Sequence, residues 1–275
     1  MDVQTTRFEW LLSRSGPEAY ERSIVPAWMG QWAEKLIAVA GIGPGDLVLD
    51  VACGTGIVAR KAARRVGETG GVTGLDHNEA MVWAAKDFAD REGLSDIDWR
   101  RGDASSLACE TPTYDVALCQ QGLQYFPDKP AALRGMREAL VPQGRVAVAC
   151  WRELERIPIF AVVADALKEV FGQKAIDLFE VSSSLSARED LRGLLREAGF
   201  RDIRVRLEIL VSRLPDPMRF LPEYLSVFPV AADIAAMSDA DRTAMFRRML
   251  GRLGDFFDDD GLVVPMESHI ATAVR

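Results

Sequence analysis

The chain predicts an α/β protein in which a doubly wound, mostly parallel sheet is covered by helices on both faces. Two observations predict it. From residue 47 to 151, short aliphatic segments alternate with helix-forming ones across brief polar connectors. The first of them, LVLD (47–50), runs through the small-residue turn VACGTG (51–56) into IVARKAARRV (57–66). A strand, a tight turn and a helix start in that order form the place where such sheets hold a nucleotide-like ligand. With 275 residues, 48% of them hydrophobic and 27% charged, the chain has room for one large domain with an insertion or for two small ones.

The elements follow in order. Residues 1–43 read as helical, with Trp10, Tyr20, Trp28 and Trp32 set between polar residues, and GIGPGD (41–46) stops them. Strands are expected at 47–51, 72–75, 97–100, 115–119 and 144–150, with helices near 57–66, 79–92 and 130–140. Right-handed crossovers then line up the strand C-terminal ends along one edge. After Trp151 the rhythm changes. Residues 158–180 read as one helix, and SAREDLRGLLREAGF (186–200) as another, with Ser186 and Glu189 at capping-box spacing and Gly199 as the stop. DIRVRLEILV (202–211) alternates as a strand does, 215–254 reads as helical, FFDDDG (256–261) as an acidic turn, and VVPMESHIATAVR (263–275) as a closing strand. A helical insertion between two late strands is suited to cover the ligand edge.

Charge and cysteine usage narrow the function. The net charge is −8 with Lys and Arg dispersed, which argues against a nucleic-acid partner because phosphate neutralisation supplies most of that affinity. No apolar run approaches the roughly 20 residues that span a bilayer, and MDVQTTRFEW has no basic-then-apolar signal pattern. Cys53, Cys109, Cys119 and Cys150 show no metal-ligand or redox spacing, so a reduced, cytoplasmic setting is expected, without a metal.

Three acids fall at successive strand ends. Asp50 closes the first strand beside the glycine turn. A dinucleotide pyrophosphate there would meet a carboxylate, and two like charges about 5 Å apart at an effective dielectric near 20 cost on the order of 3 kcal/mol. A ligand carrying an ammonium gains instead; S-adenosylmethionine has an ammonium, a sulfonium and no phosphate. Capping the following helix is the other use of Asp50, and the two are compatible. Gly54 and Gly56 let the backbone approach a ligand and adopt positive φ, and the helix beyond them favours a carboxylate at its N-terminus.

Asp76 in VTGLDHNEAMV (72–82), twenty residues after Gly56, suits both hydroxyls of a ribose or a helix cap. His77 beside it reads as a shaping or hydrogen-bonding residue, and Met81 as an apolar wall to a base or as core. Asp103 in RGDA (101–104) can accept from an adenine amino group while the Ala104 amide donates to a ring nitrogen; a solvated turn is its alternative. CQQGLQYFPD (119–128) offers Gln120, Gln121, Gln124 and Tyr125, which hydrogen-bond without charge and suit the meeting point of a neutral acceptor and a sulfonium. Gln121, Gln124 and Tyr125 are the substrate-facing candidates. No catalytic base stands out, and His269 in the last strand reads as packed.

Taken together these segments resemble the class I S-adenosylmethionine-dependent methyltransferases, and within them the ubiquinone/menaquinone-biosynthesis C-methyltransferase-like group. DVACGTG (50–56), LDHNEAM (75–81), GDA (102–104), YDVALCQQGLQYFPD (114–128) and REALVPQGRVAVACW (137–151) look like its successive motifs, at family spacing over residues 47–151. The resemblance implies a Rossmann-like, seven-stranded sheet whose last strand is antiparallel. It implies that Asp50, Gly54 and Gly56, with Ala52 and Thr55 of the same turn, face the methionine part of the cofactor, that Asp76, His77 and Met81 border the ribose and base, and that Asp103 and Ala104 hold the adenine. Gln120 matches a position whose backbone faces the methionine moiety, and Tyr20 and Trp28 fall where such proteins close over the cofactor.

The expected organisation is an N-terminal helical segment (1–43), a cofactor-binding core (44–214 and 262–275) and a helical cap (215–261). The expected reaction is in-line methyl transfer to a small-molecule acceptor, with S-adenosylhomocysteine as product and a homodimer through exposed N-terminal aromatics as one possible assembly. The long insertion departs from the quinone-methylating enzymes, so the resemblance supports cofactor and reaction class better than a quinone acceptor. Two rivals stand beside this. One keeps the fold and cofactor but catalyses a non-methylating reaction or only binds. The other is an NAD(P)-dependent oxidoreductase, to which GTGIVA (54–59) and Asp76 conform but Asp50 and GDA do not.

Overall fold

The computed structural model describes residues 15–107 and 111–275; Trp10 and Cys109 lie outside the described residues. A single mixed sheet carries the strands β1 (Leu47–Val51), β2 (Gly71–Asp76), β3 (Asp98–Arg101), β4 (Tyr114–Gln120), β5 (Leu140–Trp151), β6 (Arg201–Leu214), β7 (Phe257–Asp258) and β8 (Gly261–Val274). Their order is β3-β2-β1-β4-β5-β8-β6, with β7 pairing only β8. β1 through β5 pair in parallel, and β8 runs antiparallel to both β5 and β6. The seven-stranded sheet with an antiparallel last strand is therefore present. The two-residue β7, inside the stretch expected to be an acidic turn, is an addition: residues 258–261 turn back so that Phe257 pairs with Leu262.

Register fixes which residues reach the ligand edge. Asp50 aligns with Gly74 of β2 and Leu118 of β4, while Asp76 and Gln120 are the last residues of their strands. Alternation along β1 turns Val48 toward one face and Leu49 and Val51 toward the other. On the first face lie α2 (Gly30–Ala40), α3 (Ile57–Val66) and α6 (Pro158–Phe171), whose apolar sides join one core. On the second lie α5 (Lys129–Ala139) and α8 (Arg188–Glu197). The remaining early helix, α4 (Glu79–Arg91), follows β2.

The N-terminal helix is continuous in direction but not in type. α1 (Ser15–Ala19) passes into a π-helical segment, Tyr20–Met29, and then into α2. The segment contains Pro26, which lacks an N–H and crowds the carbonyl one turn back. The wider π turn absorbs that defect without ending the helix. Gly41 then adopts φ 66° and closes α2.

Two late elements differ from expectation. The stretch 158–180 is not one helix. Gly172 at φ 79° ends α6, and a 3₁₀ turn (Gln173–Ile176) leads to α7 (Asp177–Ser182). Ser186 does not cap α8: its own amide is taken by the Ser183 carbonyl at 3.1 Å, and the helix starts one residue later, with extended Ala187 at the cap and no capping side chain. Between Leu214 and Gly261 lie α9 (Pro217–Leu225), α10 (Ala231–Ala236), α11 (Asp239–Arg252) and β7. Their Phe220, Tyr224, Phe246 and Met249 join the same core as Val48 and Val58, so the insertion packs on the sheet's own helices.

Candidate active site

The turn after β1 has an unusual backbone. Ala52, Gly54 and Gly56 take φ values of 59°, 55° and 84°. Glycine tolerates this freely, and Ala52 does so at a cost of about 1 kcal/mol or more. The two glycines serve different ends. A Cβ on Gly54 would meet nothing within 4 Å, leaving open space where the backbone faces the edge. A Cβ on Gly56 would sit 2.4 Å from the Trp99 ring, so that glycine, besides taking the positive φ expected of it, admits the β3 tryptophan.

Asp50 is 1% exposed. One carboxylate oxygen accepts from the Ala59 amide in the first turn of α3 at 3.0 Å, and the other has no partner among the described residues. The helix-capping role is thus real and leaves Oδ1 for another group. Burial pushes the Asp50 carboxyl up from 3.8 to about 8, against the Ala59 hydrogen bond and with a smaller push from Asp76.

Asp76 is buried at the neighbouring strand end, its oxygens accepting from the Gly54 amide (2.9 Å) and the Asn78 amide (2.9 Å). It ties the β1 turn to the start of α4, but it does not cap that helix. Asn78 does, by accepting from Ala80 at 2.9 Å. His77 is exposed with Nδ1 3.4 Å from the Asp76 carboxylate, whose hydrogen bond raises its pKa. Met81 is buried in the first turn of α4.

Asp103 is exposed and caps a 3₁₀ turn (Ala104–Ser106), accepting from the Ser105 amide (2.8 Å) and hydroxyl (2.7 Å). Those bonds hold its carboxyl below the usual carboxylate range. Ala104 beside it is buried.

The glutamines behind β4 have distinct surroundings. Gln120 donates to the Met29 carbonyl at 3.1 Å, which ties the π segment's last residue to the sheet edge, and its buried Oε1 has no partner among the described residues. Gln121, at φ 52°, donates to the Ser268 hydroxyl at 3.1 Å. Gln124 is 1% exposed, and neither polar atom of its side chain finds a hydrogen-bond partner among the described residues. Tyr125 shares the 3₁₀ turn of Gln124 (Leu123–Tyr125), and burial raises its hydroxyl against a hydrogen bond from Ser182. Tyr20 begins the π segment, and its hydroxyl is raised by burial and then by Tyr125, Glu21 and Asp76.

Trp28 does not join them. Its indole N–H donates to Ser212 on β6 at 3.0 Å, and Phe160, Phe220 and Tyr224 surround the ring at 4.8–5.4 Å. Its placement over the cofactor is corrected to one in the aromatic core, because that side of the π segment faces α6 and α9. Trp32 is buried as well, so neither supplies the exposed aromatic surface expected for a dimer. Sequence reasoning missed Asn78, Trp99 and Tyr224. Asn78 stood in NEAM as an N-cap signal, whereas nothing local marked the other two.

The strand order reverses between β1 and β4, with acids at two adjoining strand ends and an open glycine backbone between them, the crevice where open α/β sheets hold their ligands. Residues 48–144 match a family described as a methyltransferase domain. The demethylmenaquinone methyltransferase of Staphylococcus aureus (strain JH9) is 30% identical over 186 residues, covering 64% of this chain and 76% of that relative. Among solved structures, phosphoethanolamine N-methyltransferase 2 of Haemonchus contortus, in complex with S-adenosyl-L-methionine, shares the fold over 100% of this chain and 60% of that one (TM-score 0.63, 17% identity). The [4+2]-cyclase SpnF does so over 90% and 81% (TM-score 0.52, 24% identity). The chain belongs to the class I S-adenosylmethionine-dependent methyltransferases, and S-adenosylmethionine is its cofactor. Among the described residues no helix is long and apolar enough to cross a membrane.

Proposed function

We propose that the chain methylates an uncharged small molecule held against Gln124 and Tyr125, with the cofactor gripped by Asp50, Asp76 and Asp103. The observation that carries the acceptor reading is the Gln124 amide, 1% exposed with no partner for either polar atom among the described residues. Leaving such groups unpaired costs about 1–3 kcal/mol, which a ligand with neutral donors and acceptors recovers. The cofactor supplies an electrophilic methyl on a sulfonium when bound. Asp50 Oδ1 suits its ammonium, Asp76 its ribose hydroxyls, and Asp103 with Ala104 its base. Gly54, with Ala52 and Thr55, leaves backbone open to the methionine end, and the Gln120 backbone borders it. His77 and Met81 flank the ribose side, and Tyr20 covers the edge. The protein's part in the reaction is alignment and exclusion of water, which needs no general base for a nucleophile already competent.

The test is transfer of label from methyl-labelled S-adenosylmethionine into fractions of a cell extract. Label in the fraction below about 1 kDa, with one S-adenosylhomocysteine per methyl, supports the reading, and demethylmenaquinone, the acceptor in the S. aureus relative's name, enters as one probe. Label confined to protein or nucleic acid refutes it. Cofactor binding without S-adenosylhomocysteine would favour a non-methylating reaction.

The same reading extends to assembly and organisation. Residues 215–261 serve as the cap of the acceptor side, and a homodimer forms through β6 rather than through the N-terminal helices. β6 is an edge strand whose Leu207, Ile209 and Val211 are 47%, 52% and 59% exposed on one face. An antiparallel two-fold centred on Leu207 sets Arg206 opposite Glu208 of the second copy, an opposite-charge pair on each side of the axis. Centring on Arg206 or Glu208 would oppose like charges.

A further inference from the structure

Arg60 lies in α3 and is 1% exposed, although IVARKAARRV presents it as one more solvated base. Its guanidinium reaches three other segments at once. Nη1 donates to the Thr55 carbonyl in the glycine turn at 2.5 Å, Nη2 donates to Glu21 on the π segment, and Nε lies 3.0 Å from a Glu92 carboxylate oxygen after α4. The Phe88 ring stands 5.7 Å from its Cζ.

Burying a charge is costly even when it is paired, and an apolar side chain of similar volume often holds a fold as well. The physical interest therefore lies in what a planar, five-donor group can do that an apolar one cannot. It fixes a carbonyl of the turn between Asp50 and α3, and it docks the residue that directly follows Tyr20. Tyr20 is the first residue of that π segment. Thr55 is itself buried, its hydroxyl without a partner among the described residues, so its backbone is held by Arg60 rather than by its own side chain.

We propose that Arg60 is a positioning residue for the cofactor, locking the glycine turn and latching the π segment to α3 through Glu21. This rests on the reading of the β1–β2 edge as the cofactor site. A depression of about 470 Å³, lined by Glu21, Gly30, Arg60 and Lys61 among others, borders the latch and gives the segment room to lift when the pair is broken.

The experiment compares the full chain with Arg60→Met, Arg60→Lys and Glu21→Gln. S-Adenosylhomocysteine affinity is measured by calorimetry, folding by circular dichroism and thermal melting, and amide exchange over residues 15–29 by mass spectrometry. Arg60→Met is expected to bind at least 10-fold more weakly and to exchange faster across 20–29. Arg60→Lys fails to restore binding to within fivefold, because an ammonium cannot span the three acceptors, and Glu21→Gln falls between Arg60→Met and the unaltered chain. A merely structural role would lower the melting temperature and leave the affinity of the folded protein within twofold. That result overturns the proposal, and if Arg60→Met does not fold, the same result in Arg60→Lys and Glu21→Gln overturns it. Asp76→Ala is run alongside. If it too binds undiminished, the site reading fails; if it alone weakens binding, only the role of Arg60 fails.

Discussion

Replacing Asp50 by Asn separates what the carboxyl costs the fold from what it gives the cofactor. The amide keeps an oxygen to accept from Ala59, so the start of α3 is preserved. What changes is the ability to ionise. With its carboxyl at about 8 in the folded chain and near 3.8 when unfolded, Asp50 keeps a proton on folding that the unfolded chain releases between those limits. Raising the pH through that window therefore favours unfolding, by as much as about 1.4 kcal/mol per pH unit. Urea unfolding of both proteins at pH 5.5 and 7.5 should show the wild type losing up to about 2.7 kcal/mol relative to Asp50→Asn over those two units. Cofactor affinity moves the other way. Loss of a charged hydrogen bond worth about 1.5–3 kcal/mol weakens binding roughly 10- to 150-fold. In the wild type, pairing with an ammonium ionises a carboxyl that is protonated below pH 8, so binding at pH 7 releases a proton, read as a buffer-dependent calorimetric enthalpy. Parallel stability profiles for the two proteins, or equal affinities, would refute the reasoning.

Three other outcomes follow from the geometry. Asp76→Ala removes charged hydrogen bonds to the ribose and should weaken cofactor binding roughly 10- to 100-fold; calorimetry giving less than a twofold change rejects the assignment. Gln124→Met should stabilise the cofactor-free protein by about 1 kcal/mol, since two unpaired buried atoms disappear, while slowing acceptor turnover at unchanged cofactor affinity. A destabilised variant, or one with full turnover, counts against an acceptor at Gln124. Leu207→Lys should shift the protein from dimer to monomer in sedimentation velocity, and an unchanged dimer excludes β6 as the interface. Deleting 216–254 would be a poor test of the cap, because Trp28 and Phe160 pack directly on Phe220 and Tyr224.

What could be read from the sequence was what depends on neighbours along the chain. The β1 turn, the alternation through β5 and the acid positions rest on local backbone preference and period, and they fell at the expected strand ends. Asn78 shows how near the local reading came: the cap signal was in the sequence, two residues from the acid considered for the same work. The misses are tertiary. Trp28 looks like any aromatic at helical spacing until α6 and α9 surround it. That Gly56 also makes room for Trp99 depends on a ring arriving from β3. Gly172 breaks a helix whose apolar pattern runs past it, and Arg60 is buried where the Thr55 carbonyl of its own turn meets carboxylates brought in by Glu21 and Glu92.

The most direct measurement is a crystal structure with S-adenosylhomocysteine. Its ammonium is expected on Oδ1 of Asp50, its ribose hydroxyls on Asp76, and its base beside Asp103 and Ala104. A nucleoside bound anywhere else on the molecule, or those three carboxylates making no contact with it, would contradict the account.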